Sequence, residues 1–231
     1  MQTNDQTAIL LFSRSSRQEA LHKQLAGSRS YQVSQTLLRH VVREARKTGL
    51  PLCTCFSPQQ HGRSFGERLA NATEAVFAQG YQRILIIGSD SPGLEASLLV
   101  KANQQLESHS TVLGPAEDGG LYLIGLTAAA YDRAFFVSLP WETAHLQPAF
   151  AAQLVAAEVS TCYLAPLIDL DTPQHFADWH PTLVSGRLRL ELRRCLVELQ
   201  QLPVFLYHLL PRVCEVLMTN TPRRGPPLSS Y

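Results

Sequence analysis

From residue 8 to residue 165, short unbroken apolar blocks alternate with longer stretches in which apolar residues recur every three or four positions. A block without alternation suits a strand buried on both faces of a largely parallel sheet. Residues 8–12 (AILLF) and 83–88 (RILIIG) have that form, residues 52–56 read as a further strand, and the consecutive aliphatics of 83–88 make it the best candidate for the central strand. Helical spacing marks residues 33–48, closed by Gly49 and Pro51, and residues 65–80 (FGERLANATEAVFAQG). In the latter, Leu69, Ala72, Val76 and Phe77 share one face and Gly80 supplies the stop. A helix near 95–106 repeats the pattern with Leu98, Leu99, Ala102 and Leu106. Two short strands, 111–114 and 121–126, flank PAEDGG, and a helix near 143–157 precedes a strand at 161–165. Strands alternating with helices of crossover length predict an α/β fold, a three-layer α/β/α sandwich around a Rossmann-like, mostly parallel sheet.

Beyond Asp171 the pattern is helical and offers no further strand. The expected division is an α/β domain over 1–182, a C-terminal helical extension over 183–218 packed on it, and a disordered tail over 219–231 rich in Pro, Arg, Gly and Ser. Residues 187–194 alternate basic residues with leucine, either as a solvated helix side or as a face for phosphate or a partner. Pro203 and Pro211 break the extension, and the apolar run 204–210 suits a homodimer interface as well as a docked helix.

Composition narrows the function. With 20 Lys and Arg against 19 Asp and Glu, the net charge of +1 carries no bias toward nucleic acid or membranes. Residues 1–7 are polar and the following apolar run is too short for a span, so the expectation is a cytoplasmic protein without membrane insertion. The five cysteines have no CxxC spacing; Cys53 and Cys55, two apart in a strand, share a face and read as core thiols. The histidines lack ligand spacing. Without GxxxxGK[ST], GxGxxG after a strand, or GxSxG, the readings as kinase, simple NTPase, dinucleotide-dependent dehydrogenase and serine hydrolase fall away.

Three acidic segments remain. GSDSPGL follows the central strand, where open α/β sheets bind ligands, so Asp90 either meets a substrate and Mg²⁺ or caps the next helix together with Ser91. In GPAEDGGLYLIG, Asp118 and Gly119 make a hairpin turn, yet Gly119 and Gly120 also allow a ligand close to the backbone. In IDLDTP, Asp169 and Asp171 face the same way in an extended segment and could share a cation with Asp90, while Thr172 and Pro173 would start a helix unaided.

In this order the segments AILLFSR, FGERLANATEAVFAQG, RILIIGSDSPGL, LGPAEDGGLYLIGL, LPWET and IDLDTP, over about residues 8–178, resemble a bacterial family of glycosyltransferase-A-like proteins of unknown function. The family is called the radical-SAM/selenodomain-associated transferase. The resemblance implies a nucleotide-diphospho-sugar transferase fold and a distant relation to molybdenum-cofactor guanylyltransferases. By position it implies that Asp90 binds metal and takes part in catalysis, with Asp171 and, less directly, Asp169 completing a Mg²⁺ or Mn²⁺ site. Asp118 would act on the acceptor side beside Gly119 and Gly120, Ser89 would lie along the bound donor, and Trp141 would line the acceptor pocket.

The chain departs from the family after its first strand, where a loop with proline, glycine and basic residues is usual. Residues 13–29 read SRSSRQEALHKQLAGSR, with no proline and no glycine before Gly27. Arg14, Arg17 and Lys23 are then the cations left to meet phosphate. The implied activity is metal-dependent transfer of a glycosyl group from a nucleotide-sugar donor to an acceptor of unknown identity. The alternatives are nucleotidyl transfer from a nucleoside triphosphate, or a non-catalytic binding protein that has lost its donor loop.

Overall fold

Every residue of β1 (Thr7–Ser13) is buried, as its unbroken apolar run requires. The strand lies between β2 (Leu52–Phe56) and β3 (Arg83–Ile87) and runs parallel to both. The computed structural model describes residues 6–178 and 186–200. Their sheet has the order β2-β1-β3-β5-β4-β6, with β4 at Thr111–Pro115, β5 at Leu121–Thr127 and β6 at Thr161–Tyr163. Only β5 opposes its neighbours, because a tight hairpin joins it to β4.

Alternation along the strands supplies two apolar faces. Ala8, Leu10, Phe12, Ile84 and Ile86 pack beneath α3 (Phe65–Phe77), α5 (Arg133–Ser138) and α6 (Leu146–Ala156). Ile9, Leu11, Leu85 and Ile87 pack beneath α2 (Ser30–Lys47) and α4 (Ala96–Gln105). The result is the expected three-layer sandwich. Cys53 and Cys55 lie together against the first of these cores, partly buried, as their spacing implied. The inward face of α3 is turned slightly from the expected one: Leu69, Ala70, Thr73 and Val76 are buried, while Ala72 and Phe77 are partly covered.

Two helices were not visible in the apolar pattern. Residues 16–23 form α1 (Ser16–Lys23), capped by Ser15, whose side chain accepts from the Gln18 amide at 3.4 Å. Its buried residues are Glu19, Ala20 and Lys23, so hydrophobic periodicity has nothing to register. α5 is short and begins at Asp132, which accepts from the Phe135 amide at 2.7 Å.

The third cluster joins the C-terminal part to the domain. Leu188, Leu192 and Cys195 of α8 (Gly186–Gln200) pack with Val33 and Leu37 of α2 and with Leu170 and Phe176. The Arg/Leu run is thus an ordinary helix face: Leu188 and Leu192 turn inward, and Arg193 and Arg194 are exposed. Among the described residues, no helix is long and apolar enough to cross a membrane. The expectations for the 182/183 boundary, Pro203, Pro211, the run 204–210 and the tail lie outside the described residues.

Candidate active site

The C-terminal ends of β1 and β3 open into a cavity of about 560 Å³. Ser13 and Arg14 enter it from β1, and Ser89 and Asp90 from the loop after β3. The buried hydroxyls of Ser13 and Ser89 meet at 2.6 Å and tie the two strand ends together. Asp90 does not cap the following helix. α4 starts at Ala96 behind Glu95, so the capping account of Asp90 and Ser91 does not hold.

Asp169 and Asp171 arrive from β6 by backbone pairing. Leu167 donates to the Pro115 carbonyl and accepts from the Glu117 amide, both at 3.0 Å, and the Leu170 amide donates to the Asp90 carbonyl at 3.0 Å. Asp169 accepts a hydrogen bond from the Ser91 hydroxyl, and both aspartates line the cavity. Thr172 also does what its own neighbourhood implied, accepting from the His175 amide at 3.1 Å to cap α7 (Pro173–Asp178).

Lys23 changes the chemistry of this acidic wall. Its Nζ lies 2.9 Å from Glu19 Oε1, 2.7 Å from Asp90 Oδ2 and 2.6 Å from Asp171 Oδ1. An ammonium has three protons, and each has a carboxylate here. The Lys23 side chain is only 6% exposed. Burial works against its charge, yet Asp90, Glu19 and Asp171 together raise its pKa well above the usual value. Burial also opposes ionisation of Asp90, but the Lys23 ammonium outweighs it and holds that carboxyl below its ordinary value. Asp169 goes the other way: burial, then the charge of Asp90, push it up to about 8, and Asp171 is raised by burial and by Asp90 despite Lys23.

The expectation that Lys23 would donate to phosphate is therefore corrected, since its protons are already taken. Arg17 is corrected as well: it is exposed on α1 and is not among the cavity-lining residues. Arg14 does line the cavity and bonds Glu142 across its mouth at 3.1 Å. A divalent metal does not fit the donor set as arranged. Asp90 and Asp171 converge on one point, but the ammonium holds it, and Asp169 is turned to Ser91. Among the described residues, no group of three His, Cys, Asp or Glu side chains is placed to hold a metal ion.

The opposite wall is the β4–β5 hairpin. Asp118 lines the cavity and accepts from the Gly120 amide at 2.9 Å, so turn and site coincide. Gly120 lines the cavity. Gly119 is needed for the turn itself: its φ is +89°, and a Cβ would collide with the Ala144 carbonyl. Trp141 lines the cavity with its indole fixed, Nε1 donating to the Phe136 carbonyl at 2.7 Å. Gly66 makes room for it, because a Cβ there would lie 2.8 Å from the indole. Sequence reasoning missed Glu19, His22, Arg68 and Glu142, which also line the cavity. A Ser15–Gln18 capping pair and a Glu19–Lys23 spacing of four were the signals for α1 and its ion pair.

Residues 34–143 match the family model described as "Uncharacterized protein conserved in bacteria" (DUF2064). This match bears out the resemblance read from the ordered motifs. The DUF2064 stretch contains Asp90, Asp118 and Trp141, whereas Lys23, Asp169 and Asp171 lie outside it. No curated protein matches the chain. Among solved structures, the "putative nucleotide-diphospho-sugar transferase" from Desulfovibrio desulfuricans G20 is similar at a TM-score of 0.73 and 20% identity, over 85% of this chain and 98% of that one. The chain thus has the fold of that protein. A homologue of Mycobacterium tuberculosis Rv0371c from Mycobacterium sp. strain JC1 reaches 0.48 at 9% identity, over 84% of this chain and 99% of that one. The Rv0371c complex with manganese from M. tuberculosis H37Rv reaches 0.46 at 14%, over 74% and 96%. Likenesses that loose carry no argument about this site.

Proposed function

We propose that the chain is a transferase that binds an activated nucleotide donor in the cavity at the ends of β1 and β3, moving a glycosyl group or, in the alternative chemistry, a nucleotidyl group. The observation that carries this reading is the convergence of Asp90, Asp118, Asp169 and Asp171, from three separate chain segments, on one cavity that also holds Arg14 and Trp141. A cavity of about 560 Å³ is of the size small-molecule sites have.

Arg14 and Arg68 are the guanidinium groups available to donor phosphates. The acidic wall repels an anion less than its composition implies, because the Lys23 ammonium offsets one of the negative charges on Asp90, Asp171 and Glu19 and the raised pKa of Asp169 keeps that group largely protonated at neutral pH. Charge developing on the departing phosphate would be met by Arg14 and by the field of Lys23. Asp118, which has no ion-pair partner among the described residues and lines the same cavity, would orient the acceptor hydroxyl and receive its proton. An Mg²⁺ or Mn²⁺ ion would enter only by displacing the Lys23 ammonium.

Thermal unfolding of the full chain against a panel of nucleotide sugars and nucleoside triphosphates tests the proposal. A specific rise with one member, lost in Arg14→Ala, is expected. No rise with any nucleotide would reject a donor site and favour a binding protein that has kept the fold, a reading supported by α1 standing where the resembled family usually has a glycine-containing loop.

A further inference from the structure

The point on which Asp90 and Asp171 converge is a place for a cation, and the chain fills it with a side chain of its own. Three geometric facts bear on how firmly. Lys23 Nζ sits within 2.9 Å of three carboxylate oxygens, which uses every proton it has. The side chain is 6% exposed, so its stem is enclosed rather than swinging in solvent. Glu19, one helical turn earlier on α1, faces the same ammonium and braces it from the helix side. A Mg²⁺ ion needs oxygen ligands at about 2.0–2.1 Å in a near-octahedral set. It cannot share this space with an ammonium whose contacts with the same two aspartates are 2.6 and 2.7 Å.

We propose that Lys23 is the built-in cation of this site, standing in the place of a divalent metal between Asp90 and Asp171, so that the cavity takes its ligand without metal. The ion pair rests on geometry alone; only its consequence, a donor bound without metal, rests on the transferase reading given above. α1 is the element responsible. It occupies the segment following β1, and Lys23 lies outside residues 34–143, so the feature belongs to a part of the chain that the family match does not cover. Lys23 acts as a positioning residue, holding the two carboxylates in register and cancelling their repulsion, and it is not a donor to phosphate.

Mn²⁺ binding to the full chain, read by electron paramagnetic resonance without any nucleotide, tests this directly. The wild-type chain is expected to show no stoichiometric Mn²⁺ site. Lys23→Ala should create one, binding Mn²⁺ at least about tenfold more tightly than the wild type, and adding Asp90→Asn should remove it again. One Mn²⁺ bound by the wild type and lost in Asp90→Asn would overturn the proposal, as would a folded Lys23→Ala chain that gains no site. Circular dichroism checks the fold; if Lys23→Ala does not fold, the wild-type titration and Lys23→Met, which keeps the length of the stem, decide instead. Where a nucleotide raises the melting temperature, the rise should be equal in Mg²⁺ and in chelator. Silence from every nucleotide would count against the donor reading alone, because the Mn²⁺ results do not depend on it.

Discussion

His40 is 2% exposed on α2, and both of its ring nitrogens are engaged. Nε2 lies 3.0 Å from the Leu94 carbonyl and Nδ1 lies 3.0 Å from an Arg43 guanidinium nitrogen. Only one neutral tautomer satisfies both, with the proton on Nε2 donating to Leu94 and Nδ1 accepting from Arg43. Burial lowers the His40 pKa below its ordinary 6.5, although the neighbouring Glu44 and Glu95 carboxylates pull it back up. A depressed pKa means the contribution to stability is fully present above 6.5 and is lost as pH falls through the folded value. Chemical denaturation of the wild type should therefore weaken between pH 7 and 5 more than that of His40→Gln. At pH 7.5 the substitution itself should cost about 1–3 kcal/mol for disturbed buried hydrogen bonds. Parallel profiles for the two proteins across this range would contradict the assignment. His40 also shows the limit of reading residues one at a time. Dispersed histidines show no metal-ligand spacing, but nothing in the local sequence says that Leu94, 54 positions away, supplies the acceptor. Asp90 was legible as a candidate because it follows the central strand and Lys23 as a nearby cation, but the pairing of the two was not, since ion pairs across 67 residues leave no periodic trace.

At the scale of elements, legibility followed the source of the burial. β1, β3, α2 and α4 bury aliphatic residues, and their bounds match the apolar pattern to within a few residues. α1 buries a charged pair, so the same pattern reads it as loop, and the ion pairing of Lys23 inside that segment goes unseen. α8 lies between these cases. Its sequence reads as helical despite the Arg/Leu alternation, but which side turns inward is decided by packing: Leu188 and Leu192, four apart, form the single apolar stripe. Leu192 is fully buried against the α2 residues Val33 and Leu37. α2 is also the helix that packs with α1, so α8 supports from behind the element that carries Lys23. Leu192→Ala should cost about 2–5 kcal/mol in unfolding free energy, the range for truncating a buried leucine. A loss below about 0.5 kcal/mol, the level of a surface change, would show that α8 does not dock there in solution.

In the whole molecule, the site unites two walls that the chain makes separately. Arg14, Lys23 and Asp90 stand on the parallel half of the sheet, and Asp118, Gly120 and Trp141 stand on or beyond the β4–β5 hairpin. A ligand that touches both walls binds only the assembled fold, so its affinity appears as stability. At a concentration 100 times Kd the gain is about 2.7 kcal/mol, and for a domain of this size each kcal/mol is worth about 2–4 °C. A cognate donor should accordingly raise the melting temperature by about 5–11 °C. Asp118→Asn separates the walls experimentally. Asparagine keeps an oxygen for the Gly120 amide, and Asp118 is exposed, so the unliganded protein should melt within about 2 °C of the wild type. Donor binding, anchored on the opposite wall, should change little. Turnover should fall by about 10²–10⁴-fold if Asp118 receives the acceptor proton. Equal losses in donor affinity and turnover would place Asp118 on the donor instead, because a group that acts only in the transition state lowers the rate without lowering ground-state binding.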